Sequence, residues 1–351
     1  MKILYGIQGT GHGHISRANE LLPLLSSDAE IDVLISGHNH QMYLLGYNII
    51  QKHGISLIYN SKGAVSLFQT ARNIRPLTFI QDVHNLKLKE YNLVISDYEP
   101  VTSWAAITSG TNCIGLSHQS AFLSDKSPRP EKKSILAEQV LKHFAPCSKA
   151  IGFHFRRYDK FIEPPIIRSR IKSLSPTTGD TITVYLPAFD YQTLSAIFHQ
   201  IREVRWEIFS PLCSSEYQHE NVTVRPVGNE TFLKSLETCF GVLTSSGFET
   251  CSEAMYLGKK LAVIPIANQY EQQCNAAALA EIGVRTINKW GSDIIVQLRN
   301  WIRNDSVIHL PEFADAKSIT EKLIRFVRKK DFHDELQQGD VYDKKKREFS
   351  K

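Results

Sequence analysis

Short runs of Val, Ile and Leu alternate with longer segments of helical periodicity along the whole chain. In the first half, this pattern predicts strands at 2–7, 31–35, 93–96, 112–116 and 150–153, and helices at 15–25, 101–109 and 135–144. Such alternation is typical of parallel strands whose sheet is covered by helices on both faces. The chain is therefore predicted to belong to the α/β fold class.

The periodicity fails between residues 156 and 181, where Pro164 and Pro165 precede a basic, Ser-rich stretch. Alternation then restarts, with strands predicted at 182–186, 206–209, 222–224, 241–244 and 261–264 and helices at 191–201, 232–237, 249–257 and 275–282. We expect two doubly wound parallel-sheet domains at 1–160 and 181–325, a linker at 161–180, and a helix or frayed tail at 326–351. Domains of this kind face each other across a cleft and bind ligands beyond the carboxyl ends of their strands.

Composition excludes several classes of protein. A chain of 351 residues, 42% hydrophobic and 22% charged, has room for two domains and is neither disordered nor collagen-like. Its net charge of +5 is evenly spread and predicts no nucleic-acid partner. No apolar run approaches the roughly 18 to 20 residues that cross a bilayer, and Met1 leads directly into a strand, so we expect a cytoplasmic protein. The basic stretch from Arg156 to Lys172 favours a solvated linker and also allows peripheral contact with the inner face of an anionic membrane.

The six cysteines are far apart in the sequence and form no CxxC motif. Zinc-binding and redox functions usually need closely spaced cysteines, so neither is supported here. We expect buried thiols and no metal site.

A loop of alternating glycines follows the first predicted strand. It contains Gly9, Gly11, His12, Gly13 and His14, and a helix opens directly after it. Glycines allow close approach of the backbone to a ligand, and free amides at a helix start favour an anion. The loop lacks the Gly-Lys-Ser/Thr of a Walker A motif, and the dinucleotide pattern GxGxxG fails at its last position.

The two histidines of this loop are candidates for proton transfer, because imidazole titrates nearest neutrality. His14 lies nearer the helix start than His12, and the sequence leaves open which of the two is the base. Arg17, one turn into the helix, is expected to orient an acid or hold a phosphate, with a solvated surface charge as the alternative.

Polar side chains follow two further strands of the first domain. Asp97 and Glu99 come directly after strand 93–96, where a carboxylate can hold an imidazole in one tautomer. The alternative for this acidic pair is a helix cap before Pro100. His118 and Gln119 follow the next strand and suit recognition of a polyhydroxylated ligand, although a polar turn explains them almost as well.

The second domain contains the densest signal. Strand 241–244 ends in the turn Ser245-Ser246-Gly247, and a helix follows at once, so its amides and positive dipole end favour phosphate. Ser246 and Glu249 have the spacing of a capping box, which leaves Glu253, one turn later, as the candidate for binding a sugar diol. Farther along, Glu271 and Gln272 combine carboxylate and amide groups that can bind hexose hydroxyls.

This segment resembles the donor-binding region of glycosyltransferases of GT-B fold, especially the UDP-glycosyltransferase superfamily that includes the MurG-type enzymes. The residues that match its pattern are Gly247, Thr250, Glu253, Gly258, Pro265, Glu271, Gln272, Asn275 and Ala276. The glycine loop ending in Gly13 and His14 is similar to the N-terminal motif of the same enzymes.

The resemblance implies two Rossmann-like domains, with the acceptor bound by 1–160 and a nucleotide sugar, expected to be UDP-linked, by 181–325. It assigns the diphosphate to Ser245, Ser246 and Gly247, the ribose to Glu253, and the donor sugar to Glu271 with Gln272. Thr250 and Asn275 belong to the same donor-binding set. His14 would be the base, supported by Asp97.

Enzymes of this kind are inverting and use no cofactor and no essential metal, because helix amides neutralise the leaving diphosphate. Ser245 stands where plant enzymes have a phosphate-binding histidine, which leaves the nucleotide base open between uridine, guanosine and thymidine. The acceptor is not indicated. Two other functions stay open: a UDP-sugar 2-epimerase, which would convert its substrate without an acceptor, and a non-catalytic nucleotide-sugar binding protein.

Overall fold

The computed structural model of the protein describes residues 1–10, 12–37, 44, 46–55 and 75–328. Gly11 of the glycine loop and most of the predicted tail, 329–351, lie outside these residues. The described helices are α1 His12–Leu25, α2 Pro76–Asn85, α3 Pro100–Ser109, α4 Ile135–His143, α5 Ser169–Lys172, α6 Tyr191–Phe198, α7 Asn229–Thr238, α8 Phe248–Tyr256, α9 Tyr270–Glu281, α10 Ile294–Asn304 and α11 Ala316–Arg328.

The first sheet is wholly parallel, with the order β3-β2-β1-β4-β5-β6-β7. Its strands are β1 Lys2–Gln8, β2 Glu30–Ser36, β3 Asn48–Lys52, β4 Leu93–Asp97, β5 Cys113–Ser117, β6 Lys149–Phe153 and β7 Ile162–Glu163. The order reverses between β1 and β4, which is the doubly wound arrangement predicted from the sequence. We call this sheet and the helices that cover it the first lobe.

The second sheet repeats that order as β11-β9-β8-β12-β13-β14 and adds β10 at the edge, antiparallel to β11. Its strands are β8 Thr181–Tyr185, β9 Arg205–Ser210, β10 Tyr217–His219, β11 Val222–Pro226, β12 Gly241–Thr244, β13 Lys260–Val263 and β14 Arg285–Thr286. This sheet and its helices form the second lobe. The predicted α/β class is confirmed.

Two of the elements that the sequence analysis missed, β3 and α2, carry little apolar patterning. β3 lies at the edge of the first sheet and has no fully buried residue, and α2 likewise buries none of its side chains. A strand or helix that buries no side chain needs no apolar stripe, so periodicity gives no signal there. In the described part of the chain, no helix combines the length and apolarity needed to span a bilayer.

The predicted linker 161–180 contains two short elements, since β7 closes the first sheet and α5 follows it. Lys259 of the second lobe holds the end of the linker in place. Its Nζ donates to the carbonyl of Thr177 in the linker and to those of Glu237 and Cys239 in the second lobe, at 2.6, 2.8 and 2.9 Å. The side chain is almost fully buried, and burial lowers its pKa. Three carbonyl acceptors compensate for the burial of this ammonium group.

The two lobes share one continuous apolar cluster. It runs from β1 and α1 to Phe248 and Met255 of α8 and includes Leu323 of α11. α11 follows the second lobe in sequence and packs against α1 of the first. Its Lys322 also pairs with Glu163 at the end of β7. The end of the described chain therefore returns to the first lobe.

We predict that Lys259→Met lowers the free energy of unfolding by about 2–4 kcal/mol, because three carbonyls, that of Cys239 fully buried, lose their donor. Chemical denaturation measures this. Lys234→Met is the matched control, since that ammonium is exposed and pairs with Glu237 on its own helix. Equal stability of the two variants would contradict a structural role for Lys259.

Candidate active site

Each lobe has a crevice where its strand order reverses, between β1 and β4 in the first and between β8 and β12 in the second. The helices on the two sides of such a point run to opposite faces of the sheet and leave space beyond the strand ends. β1 leads into the glycine loop, β4 ends at Asp97, and β12 leads into Ser245. The sequence-predicted residues therefore gather at these two crevices.

In the first lobe, Nδ1 of His14 lies 2.7 Å from Oδ1 of Asp97. A carboxylate can only accept, so Nδ1 carries the proton and donates it. Nε2 is then the nitrogen with a free lone pair, as a general base requires. The structure thus brings together the pair that the sequence analysis proposed to act together.

Arg17 holds Asp97 from the opposite side. Its Nε donates to Oδ2 at 2.9 Å and its Nη2 to Oδ1 at 2.7 Å, and both side chains are buried. Burial opposes ionisation of Asp97, but the charges of Arg17 and His14 outweigh it and hold the pKa of Asp97 below its ordinary value. Of the two roles expected for Arg17, the structure shows the first: Arg17 orients an acid, Asp97.

Asp97 and Glu99 divide the two roles that the sequence left open for them. Glu99 is the helix cap, accepting from the amides of Val101 and Thr102 at the start of α3. Tyr98 between them has φ 55°, a left-handed conformation that reverses the chain within one residue. Asp97 is thereby free to face His14.

The glycine loop is described in part. The amide of Gly9 donates to the carbonyl of Ser36 at 2.7 Å, and His12 is the first residue of α1. At Gly13, an added Cβ would lie 2.6 Å from the Glu249 carboxyl group of the second lobe. Gly13 is therefore needed for close contact between the lobes.

In the second lobe, α8 begins at Phe248, one residue earlier than predicted, with Gly247 as its N-cap and no side chain capping it. Ser246 is fully buried and its Oγ donates to the carbonyl of Gln272, while Nε2 of Gln272 lies 3.4 Å from Oγ of Ser245. The serines and Gln272 thus hold the turn in shape, and the first amides of α8 stay available to an anion. Thr250 follows in the first turn and is half-buried.

The capping box expected at Ser246 and Glu249 is wrong. Glu249 instead accepts from Nη1 of Arg17 at 3.1 Å, so it joins the two lobes. The tertiary ion pair prevails because Ser246 is engaged with Gln272 and cannot reciprocate.

Glu253 has a partner that the sequence did not reveal. Arg168, expected to be solvated linker charge, donates to Oε1 and Oε2 of Glu253 at 2.5 and 2.8 Å. Burial raises the pKa of Glu253, and Arg168 opposes that effect. No motif marks Arg168, so sequence reasoning had no means of finding this pair.

His118 and Gln119 of the first lobe meet the second lobe directly. Nε2 of His118 lies 2.7 Å from Oδ1 of Asn275, and Gln119 donates to Glu271 at 3.0 Å. The His118 ring also stacks on Phe248, with centroids 4.1 Å apart. Residues expected to bind acceptor and donor separately thus contact one another.

A cavity of about 1070 Å³ opens beside this interface. It lies against the outer face of α9 and is lined on the other side by Arg129 and Lys132 of the first lobe. Ser245, Ser246 and Gly247 do not line it. Within the described ranges, no three His, Cys, Asp or Glu side chains converge as a metal site would require.

Comparison with protein families identifies one match. The sequence profile of the family described as Glycosyl transferase family 1 matches residues 1–295. No curated protein matches the chain in a sequence comparison.

Solved structures match over nearly the whole chain. A UDP-glucosyltransferase from Polygonum tinctorium capable of glucosylating indoxyl has 14% identity and a TM-score of 0.58, over 94% of this chain and 95% of its own. Arabidopsis thaliana UGT89C1 complexed with UDP has 13% identity and a TM-score of 0.57, over 94% and 96%. The glycosyltransferase SnogD from Streptomyces nogalater has 15% identity and a TM-score of 0.55, over 94% and 95%. The predicted GT-B fold is confirmed.

We predict that Asp97→Asn lowers the free energy of unfolding by about 3 kcal/mol at pH 7, because Arg17 loses its buried partner. The folded pKa of Asp97 lies below its ordinary value of 3.8. Its stabilising effect is therefore complete above that value and is lost as the pH falls through the folded pKa. The difference between wild type and variant should shrink on acidification.

Denaturant unfolding of both proteins at neutral and acid pH measures this difference. Asp180→Asn is the control, because Asp180 is an exposed partner of Arg205 and should matter little at either pH. A difference for Asp97→Asn that does not change with pH would mean that the carboxylate charge is not what stabilises the site.

Proposed function

Since the chain belongs to the family Glycosyl transferase family 1 and is a glycosyltransferase, we propose that it moves a sugar from a UDP-linked donor to an acceptor hydroxyl with inversion at the anomeric carbon. The observation that carries the proposal is the hydrogen bond of 2.7 Å between His14 and Asp97 in the crevice of the first lobe. It lies across the lobe interface from the start of α8, to which Arg17 and Glu249 connect it.

His14 acts as the base. The acceptor hydroxyl gives its proton to Nε2 of His14, while Nδ1 donates to Asp97 and the carboxylate stabilises the imidazolium that forms. The acceptor oxygen forms a bond to the anomeric carbon as the bond from that carbon to the diphosphate oxygen breaks. UDP leaves with the electron pair.

The start of α8 receives the diphosphate. Its first amides have no side-chain cap, and they point along the positive end of the helix dipole. Charge developing on the leaving group is stabilised there by fixed donors, so we propose that no essential metal and no cofactor take part. Uridine is proposed because several structures of the same fold were solved with UDP or a UDP-sugar.

The remaining donor contacts are assigned to side chains near α8 and α9. Glu253 is proposed for the ribose, which requires Arg168 to release at least one of its carboxylate oxygens. Glu271, with a quarter of its side chain exposed, is proposed for the sugar hydroxyls, next to His118 and Gln119. Domain closure that aligns acceptor and donor contributes further to the rate.

We predict that His14→Ala lowers kcat by about 10³-fold and leaves UDP affinity within a factor of about two, because the base is lost and the donor site is not. Transfer from radiolabelled UDP-sugars and calorimetry with UDP measure the two effects. His84→Ala is the matched control, an exposed histidine on α2. Unchanged turnover in His14→Ala would exclude this base.

Two further outcomes separate the alternatives. UDP-N-acetylglucosamine incubated alone should stay unchanged, whereas a 2-epimerase would convert it to a new sugar. Binding of UDP-sugars with no product from any acceptor would indicate a binding protein.

Chelation tests the proposed independence of metal. We predict that excess EDTA leaves the transfer rate within about 20% of its untreated value, since α8 amides neutralise the leaving group. A loss of activity that Mg²⁺ or Mn²⁺ restores would contradict the assignment.

A further inference from the structure

The guanidinium of Arg17 is shared between the two lobes. Two of its nitrogens hold Asp97 and the third, Nη1, donates to Glu249 at the start of α8. The Arg17 side chain is 5% exposed and Glu249 is 33% exposed. A charge on the second lobe is thus linked to the candidate base by a chain of three contacts: Glu249 to Arg17, Arg17 to Asp97, and Asp97 to His14.

The net charge of the four groups indicates what these three contacts do. When His14 is neutral, Asp97 and Arg17 cancel, and Arg17 occupies both oxygens of the carboxylate that must stabilise the imidazolium. Once His14 takes a proton, Asp97 and Arg17 alone would leave one uncompensated positive charge in a buried site. Glu249 supplies the second negative charge and brings the group to neutrality. An uncompensated buried charge is costly, and Glu249 removes that cost.

Gly13 gives independent evidence that Glu249 is accommodated at this position. An added Cβ at residue 13 would lie 2.6 to 2.7 Å from the three carboxyl atoms of Glu249. The α1 backbone at Gly13 is helical, so the conformation itself does not require glycine. The absent side chain leaves the space that Glu249 occupies, next to His14.

We propose that Glu249 is a positioning residue that acts on His14 through Arg17 and Asp97, so that the base reaches full strength only when the second lobe is in contact with the first. This inference rests on the proposed function. It makes proton transfer depend on the lobe that holds the donor, and an acceptor is activated less when the lobes are apart.

The other titratable groups near His14 do not supply this charge. Tyr98, at the end of β4, lies with its ring 6.4 Å from that of His14 and directs its hydroxyl to the carbonyl of Val140. Tyr5, in β1, is fully buried, and burial raises its pKa well above the ordinary value, so it stays neutral. On the far side of Glu249, Arg168 and Glu253 also interact with it, but they pair with each other and add no net charge.

The first test is Glu249→Gln, which keeps the shape and the hydrogen bond to Arg17 but removes the charge. We expect kcat to fall about 10-fold, the donor KM to change less than about threefold, and the acid limb of the pH–rate profile to move to lower pH. Glu230→Gln is the control, because Glu230 forms an exposed pair with Arg170 outside the site. An unchanged profile in Glu249→Gln would overturn the proposal.

Titration of His14 by NMR tests the same inference without turnover. Assigned by its absence in His14→Ala, the ring should become protonated at lower pH in Glu249→Gln than in wild type. Identical titrations would overturn the role of Glu249 even if transfer is normal. A clear shift in a protein that transfers no sugar would uphold the charge coupling and refute the proposed function instead.

A double-mutant cycle tests whether Gly13 serves Glu249. Gly13→Ala should lower kcat about as much as Glu249→Ala, and the two together should cost no more than either alone. Thermal unfolding checks that the variants are folded. Equal losses from Gly13→Ala in both backgrounds would mean that the added methyl acts elsewhere in the site.

Discussion

The buried ion pair between Arg17 and Asp97 is the interaction on which the rest of the site depends. It fixes the carboxylate in its charged form, and that carboxylate in turn fixes the tautomer of His14. Both partners belong to the first lobe, and removing either would leave an unpaired charge in its interior. Glu249 on the second lobe completes the balance.

The fold explains why these groups meet. Both sheets reverse their strand order beside their first strand, so each lobe places a loop and a helix start at its own crevice. One crevice brings α1 to the end of β4, and the other brings α8 to the end of β12. With the crevices facing each other, the proposed base on one lobe and an amide-rich helix start on the other lie on opposite sides of one interface, which is the arrangement a displacement reaction needs.

Much of the fold could be predicted from the sequence, because buried parallel strands leave long apolar runs; strand 241–244 has the same bounds in the structure. β3 and α2 were missed because neither buries a full side chain. Within the site, His14 and Asp97 could be found because both follow strands at one sheet edge. Arg168 and the role of Glu249 could not, since ion pairs between distant segments depend on how the lobes pack, and local spacing favoured a capping box.

A crystal structure of the protein with UDP tests the central claim most directly. The account predicts the diphosphate within hydrogen-bonding distance of the amides at residues 247–249, with its terminal phosphate directed toward Nε2 of His14. A diphosphate bound instead in the cavity beside α9, against Arg129 and Lys132, would contradict it.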